Sequence, residues 1–223
     1  MRWIHSIKAG AVASCLAIGL QTQAVPTSAE WYVAGTGGIN FADRINSIAG
    51  TGSLAGASGP FVDFDLRNSI TYGAKAGYFL GHGWFGIEGE VLHTTPHIKA
   101  LPDDPATSAF DPVPGIHFRL TTIGANIIAR FPGRTFQPYV GAGVGAAIAR
   151  IGNTNTVRSD TDAAVAWNVL LGLRAFLTPQ IAVFTEYKHT GATLDFDQAF
   201  GSVGGFSGNY RAQYILGGLS YHF

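Results

Sequence analysis

Beyond residue 30, apolar residues alternate with small or polar ones, and this period of two constrains the fold more than any other feature of the sequence. Between 163 and 176, for example, Val165, Trp167 and Leu171 share one face of an extended strand, whereas Arg174 lies on the other. Successive side chains of a β-strand point to opposite faces. The pattern therefore predicts an all-β protein whose strands each have one apolar face.

Eight alternating segments are joined by connections that are in turn short and long. The segments are 31–42, 69–80, 84–94, 116–131, 137–150, 163–176, 181–192 and 209–223. The short turns are 81–83, 132–134 and 178–180, and the long connections are 43–68, 95–115, 151–162 and 193–208. Such alternation is typical of barrels with short periplasmic turns and long extracellular loops. We predict an eight-stranded antiparallel transmembrane β-barrel over residues 30–223.

The distribution of polar residues separates this prediction from a soluble barrel. The apolar face is continuous from strand to strand, and the residues opposite it are few and mixed in charge. Lipid outside and polar side chains inside produce this arrangement, and closure removes the edge strands that lipid would not tolerate. A soluble lipocalin-like barrel is the alternative fold. Its polar residues should face outward, which conflicts with the run from Val165 to Ala175.

The first 29 residues are predicted to be a secretory signal peptide. Arg2 and Lys8 precede an apolar stretch too short to span a bilayer, and cleavage is expected after Ala24 or Ala29. Cleavage would remove Cys15, the one cysteine of the sequence. The mature chain would then have neither a cysteine nucleophile nor a cysteine-ligated metal. The remaining chain would carry 12 Lys and Arg against 14 Asp and Glu. This balance argues against a nucleic-acid partner, which needs a concentrated basic face.

Charged residues of the strands fall mainly on the inward face. By parity this predicted lumen charge network consists of Lys75, Glu88, Glu90, Arg130, Arg174, Glu186 and Lys188. An eight-stranded barrel has an interior just wide enough for side chains. We therefore interpret four cations and three carboxylates as a mutually neutralising plug rather than a catalytic pair. A gated channel is the alternative.

A second set of basic residues is predicted to point outward near the extracellular end. It consists of His93, His117, Arg119, Arg150, His189 and Arg211. Arg119 and Arg150 should be neighbours across two strands. Basic side chains are costly at the bilayer centre and tolerated at its edge. The set fits a rim facing lipopolysaccharide phosphates, with an ordinary interfacial belt as the alternative.

Three stretches resemble the small outer-membrane β-barrel family that includes the OmpA and OmpX type. These are Gln137 to Gly145, Thr185 to Lys188 and Gly218 to Phe223. The resemblance implies a barrel, a place in the outer membrane, and an assembly signal at Gly218, Tyr221 and Phe223. Leu216 departs from that signal, which usually has a polar residue there. The family includes structural proteins, adhesins and lipid-modifying enzymes, so no single activity is implied.

Three chemical motifs are weak. The glycines from Gly141 to Gly145 match the letters of a dinucleotide fingerprint but lack the following helix. His189 resembles the outward histidine of lipid A deacylases, yet Gly191 stands where the nucleophilic serine belongs. A metal site from His93, His97 and Asp103 has loop spacing that arises by chance.

We therefore expect an integral outer-membrane protein that is not an enzyme, has no cofactor or metal, and is monomeric. Its role would be structural in the envelope, or in surface interaction through connections 43–68 and 95–115. Its partners would be outer-membrane lipid, lipopolysaccharide and the assembly machinery, with a surface ligand for the loops. A narrow pore is the first alternative, and a lipid A-modifying enzyme is the second.

Overall fold

The computed structural model describes residues 29–55, 64–65, 68–81, 83–96, 118–152, 160–196 and 206–223. These residues form nine strands and one short 3-10 helix, Gly52–Leu54. The strands are β1 (Glu30–Gly50), β2 (Phe64–Asp65), β3 (Ser69–Phe79), β4 (Phe85–Thr94), β5 (Phe118–Arg130), β6 (Phe136–Ile151), β7 (Asp160–Phe176), β8 (Ile181–Phe196) and β9 (Phe206–His222).

Eight of the strands close into an antiparallel barrel. β1 pairs with β3, each strand from β3 to β9 pairs with the next, and β9 returns to β1. The closing pair runs from Tyr32 opposite His222 to Gly50 opposite Phe206. The two-residue β2 is additional and pairs with β1 at Arg44 and Ile45. The predicted eight-stranded barrel is confirmed, with one extra short strand.

The outer wall is apolar because apolar residues recur at every second position of the strands within the barrel wall. Val165 is 80 % exposed, and Ile70, Ile127 and Leu219 are also exposed. Water would disfavour so much apolar surface, whereas lipid favours it. None of the described helices is long and apolar enough to cross a membrane.

Both ends of the barrel chain lie at the same end of the barrel as the short turns. Glu30 pairs with Phe79, beside the turn that leads into β4, and His222 donates its backbone N–H to the Gln180 carbonyl oxygen, 2.7 Å away, in the turn before β8. Gly83 has a φ of +69°, which a residue with a side chain adopts only with strain. We refer to this end as the periplasmic end and to the other as the extracellular end.

Several strands are longer than predicted at the extracellular end. Connections 43–68, 151–162 and 193–208 were predicted to be loops, but β1 continues to Gly50, β7 begins at Asp160 and β8 ends at Phe196. The connection after β8 was predicted to begin at residue 193, but the buried Leu194 and Phe196 continue the inward alternation to the end of the strand. The connection 95–115 lies outside the described residues beyond residue 96.

The barrel interior has two apolar clusters with polar side chains between and around them. The periplasmic cluster consists of Tyr32, Ala34, Phe79, Ile128, Tyr139, Leu170 and Phe184. The extracellular cluster is larger and includes Leu92, Phe118, Leu120, Ile151, Leu194, Phe196, Tyr210, Tyr214 and Leu216. The polar side chains near the periplasmic cluster form the candidate site.

Candidate functional site

All seven charged residues assigned to the lumen have buried side chains inside the barrel. They are Lys75, Glu88, Glu90, Arg130, Arg174, Glu186 and Lys188. They come from β3, β4, β5, β7 and β8, and each alternates with outward neighbours that are exposed or half-buried. Their placement follows from the pleat, since residues two apart share a face.

Two tyrosines hold this network in place by lying over glycines on adjacent strands. Tyr32 pairs with Gly77, and Tyr139 pairs with Gly172. A Cβ atom on either glycine would come within 2.3 Å of the tyrosine ring. The glycines therefore leave room for the rings to lie along the wall, so that their hydroxyls reach the centre of the lumen.

Lys75 lies at the centre of the ion-pair network. Its Nζ is 2.7 Å from Oε1 of Glu186, 3.0 Å from Oε2 of Glu90 and 3.3 Å from Oε1 of Glu88. Tyr32 donates a hydrogen bond to Glu88 over 2.5 Å, and Tyr139 donates one to Glu186 over 3.0 Å. One ammonium group thus forms ion pairs with three carboxylates, and two of these carboxylates also accept a hydrogen bond from a tyrosine hydroxyl.

Two further cations balance the carboxylates. Nζ of Lys188 donates a hydrogen bond to Oε1 of Glu90 and lies 3.9 Å from Oε1 of Glu186. The guanidinium of Arg174 stacks 4.5 Å from the ring centre of Tyr32 and 5.6 Å from that of Tyr139. Its Nε has no hydrogen-bond partner in the described part of the chain.

The central network is therefore electrically balanced, with three cations and three carboxylates. Separating such charges from water is expensive, and their mutual attraction offsets that cost only while every partner is present. The arrangement suits a fixed internal support. A catalytic carboxylate pair would instead need open space between the acids for a substrate.

A second polar layer closes the periplasmic end. Nη2 of Arg130 donates to Glu30 over 2.5 Å, Nη1 donates to Gln137 over 3.0 Å, and Nε donates to the Gly83 carbonyl oxygen over 2.6 Å. The guanidinium also lies 3.6 Å from the ring centre of Phe79. These contacts join the first strand to the first two periplasmic turns.

Sequence reasoning missed Glu30, Gln137, Ser220 and His222 in this layer. Ser220 Oγ lies 2.9 Å from Nε2 of His222, and Nδ1 of His222 bonds to Glu30. Parity alone places the last two on the inward face of β9. Glu30 falls one residue before the predicted first segment, 31–42, and the other three side chains carry no permanent charge that marks them in the sequence.

The order serine, histidine, carboxylate matches that of a nucleophilic relay. Ser220 is only 3 % exposed, however, and His222 4 %. The ring of Phe176 packs 4.8 Å from that of His222. An acyl substrate has no access to a hydroxyl buried in this way, so the geometry favours a hydrogen-bonded closure of the barrel mouth.

The predicted basic rim lies on the outer wall where the structure describes it. Arg119, Arg150 and Arg211 are exposed, and His93 and His189 are half-buried. The register places Arg119 directly opposite Arg150. His117 lies outside the described residues, as do His97 and Asp103. No group of three potential metal ligands occurs among the residues that the structure describes.

The position that would carry a deacylase nucleophile is covered. A Cβ atom on Gly191 would lie 2.7 Å from the indole of Trp167, which pairs with it across β7 and β8. The ring of His189 is 5.5 Å from the same indole. His189 is therefore part of an interfacial aromatic contact.

The glycine run of β6 makes room for its neighbours. A Cβ atom on Gly143 would meet Oδ1 of Asn126 at 1.9 Å, and one on Gly141 would meet Ile128 at 2.6 Å. The run continues as a strand to Ile151. Because a dinucleotide fingerprint needs a helix at this point, the match in letters carries no chemistry.

The carboxy-terminal segment occupies both faces of β9. The rings of Tyr221 and Phe223 meet edge to face on the outer wall, with centres 5.0 Å apart. Gly218 faces inward beneath Phe184, whose ring would lie 2.7 Å from an added Cβ. Leu216, the departure from the usual terminal signal, is buried in the extracellular cluster.

Solved structures that resemble this fold include small outer-membrane barrels. Neisserial surface protein A is 15 % identical at a TM-score of 0.52, with 88 % of this chain and 99 % of that one covered. OprG from Pseudomonas aeruginosa is also 15 % identical at 0.52, with 88 % and 97 % covered. These likenesses concern the fold alone.

None of the curated proteins matches the sequence. Residues 10–223, nearly the whole chain, match the family described as outer membrane protein beta-barrel domain. The alternating strands, the closed register and the apolar outer wall are what that description requires. The chain belongs to the outer membrane protein beta-barrel domain family.

Proposed function

We propose that this outer-membrane barrel is a closed, non-enzymatic protein that supports the envelope and makes surface contacts through its extracellular connections. The observation that carries the proposal is the filled interior. Side chains bridge the lumen in the periplasmic layer of Arg130 and Glu30, in the central network around Lys75, and in the extracellular apolar cluster.

A pore would need a continuous wet path past all three layers. The central layer would have to lose an ion pair between charges that are almost fully buried, and that is costly. The extracellular layer would have to admit water among Phe118, Leu194 and Phe196. Closed packing in both layers supports a plug over the channel alternative.

Recordings from planar bilayers test this part of the proposal. The full chain, folded in detergent and inserted, is expected to give no steady conductance steps. Protein boiled before addition provides the control for leakage caused by detergent or contaminants. Steady openings that appear only with the folded protein would contradict the closed barrel.

The surface role is assigned to connections at the extracellular end, chiefly 43–68 and 95–115. The placement of all short turns and both barrel ends at the opposite end supports it. External protease added to intact cells should cut within 97–115 and leave a compact barrel fragment. Cutting at the short turn 132–134 instead would reverse the orientation.

We propose that the chain does not modify lipid A, because neither of the two places where a serine nucleophile could act is accessible to a substrate. Ser220 is buried beneath His222, and Gly191 lies beneath Trp167. Mass spectrometry of lipid A from cells with and without the protein should give the same acyl pattern. An acyl pattern that is altered in cells producing the wild type, but not in cells producing Ser220→Ala, would show that the buried Ser220 is catalytic.

We also propose that residues 1–24 or 1–29 are removed on export and that the barrel is a monomer handled by the outer-membrane assembly machinery. The segment 30–223 provides the entire barrel, which supports such a boundary. The intact mass of the protein from outer membranes should match one of the two processed chains. A mass that retains Met1 would contradict the cleavage.

A further inference from the structure

Two arginines face each other on the outer wall near the extracellular end. Arg119 on β5 and Arg150 on β6 are direct partners in the antiparallel register, and both side chains are exposed. Directly opposed residues have Cβ atoms about 4.5–5.5 Å apart, and like charges in this position are destabilising. Unless an anion lies between them, the two charges repel each other.

Among the described residues, no carboxylate is paired with either of these arginines. Neither arginine has an ion pair or hydrogen bond from its side chain to a described residue. Across the pair on β7, Thr161 lies opposite Arg150, whereas Asp160 and Asp162 alternate to the other face. The glutamates of β4 also point into the lumen.

The height of the pair places it at the edge of the membrane. Arg119 lies eleven residues from Arg130, which is at the periplasmic end of the same strand. A rise of about 3.4 Å per residue and a tilt of roughly 40° put the pair about 29 Å above that end. The apolar band of such barrels is about 25 Å tall, so the guanidinium groups reach the headgroups of the outer leaflet.

The surrounding outward residues suit a headgroup rather than an acyl chain. Thr121 follows Arg119 on the same face, and its Oγ1 lies 2.9 Å from Nδ1 of His93. The ring of Tyr72 lies 5.4 Å from that of His93. Hydroxyl, imidazole and phenol groups here continue the polar surface away from the two arginines.

We propose that Arg119 and Arg150 together bind one phosphate group of the outer-leaflet lipopolysaccharide. Two guanidinium groups side by side can each donate to the same phosphate, and Arg matches phosphate geometry with paired N–H donors. The bound phosphate turns a repulsive pair into a shared site. This inference rests on the orientation of the barrel in the proposed function, and not on whether its lumen conducts.

Retention of lipid A tests the site directly. The full chain is folded in detergent with lipid A that carries both phosphates, and native mass spectrometry counts the lipid A that stays bound. Arg119→Gln and Arg150→Gln are each expected to lower the affinity roughly tenfold, since each removes charged hydrogen bonds. Arg134→Gln, which removes an exposed arginine at the opposite end, should bind as the wild type does.

Thermal stability provides a second readout with a change of sign. In a maltoside detergent, which has no phosphate group, Arg119→Gln relieves repulsion and should leave the unfolding temperature unchanged or raise it. In vesicles of phosphatidylcholine with lipid A, but not in vesicles of phosphatidylcholine alone, the same variant should unfold at a lower temperature than the wild type. Heat-dependent gel mobility in both settings shows that each variant is folded.

The outcomes decide between the possible sources of phosphate. Equal retention by wild type and both variants would overturn the site, as would equal retention of dephosphorylated lipid A. Displacement of lipid A by inorganic phosphate would show that the site binds free phosphate, and it would overturn the assignment of lipopolysaccharide as the ligand. Conductance of the folded barrel would contradict the proposed function while leaving this result intact.

Discussion

At the scale of single residues, pairs of an aromatic ring and a glycine explain much of the lumen. Tyr32 over Gly77 and Tyr139 over Gly172 bring two hydroxyls to buried glutamates. The alternation predicted which charged residues point inward, because charge and parity are both visible in the sequence. It could not predict these hydroxyl contacts, since they depend on the register between strands.

A single added methyl group at Gly77 tests the packing of Tyr32. Gly77→Ala should lower the free energy of unfolding by about 1–3 kcal/mol, because the ring must move off the wall. Gly35→Ala is the matched control, since an added Cβ there meets nothing within 4 Å. Urea titration in detergent, followed by tryptophan fluorescence, measures both. Equal losses at the two positions would contradict the packing account.

The balance of the central network gives a second prediction. Lys75→Met should destabilise the barrel by about 3–5 kcal/mol, because three buried carboxylates lose their shared cation. Adding Glu186→Leu restores equal numbers of opposite charges and should recover part of the loss. The same urea titration measures all three variants. A double variant that loses more unfolding free energy than the two single variants lose together would contradict the mutual neutralisation.

At the scale of strands, the sequence located every long element but misjudged the extracellular ends. The connections 151–162 and 193–208 were predicted as loops, whereas the backbone pairing extends to Asp160 in β7 and to Phe196 in β8. Pairing persists because every second residue of β8, including Leu194 and Phe196, still packs inside. The overall composition of such a segment combines both faces of the strand, so it does not reveal that the inward face is still apolar.

Truncation of Leu194 should loosen the outer part of the β8–β9 pair. The cavity left by Leu194→Ala costs about 2–5 kcal/mol, and the opposing strand end near Gly208 is the element it supports. Hydrogen exchange at the amides of 193–196 should therefore speed up, while that at 182–188 stays slow. Fast exchange at 193–196 already in the wild type would contradict a strand there.

At the scale of the whole molecule, the closed barrel was predictable because membrane burial constrains every strand alike. Eight alternating segments, an apolar outer face and the need to satisfy all backbone groups leave few other folds. The extra strand β2 was not predictable. It contributes two paired residues, too few to leave a periodic pattern.

Closure gives the molecule a distinctive response to heat. Without an edge, the sheet must open all its pairs together, so the folded chain should remain compact in SDS until it is heated. Unheated protein from outer membranes should therefore run at a different position from boiled protein. Identical mobility in both lanes would contradict closure between β1 and β9.

The filled lumen is tested most directly by the reactivity of a single inward thiol. Thr71 is fully buried in the lumen, and Thr161 is exposed at the extracellular end. With Cys15 replaced by serine, Thr71→Cys should resist a water-soluble maleimide until the barrel is unfolded, while Thr161→Cys reacts at once. Reaction of Thr71→Cys in the folded barrel at a rate similar to that of Thr161→Cys would show a water-filled lumen and contradict the account.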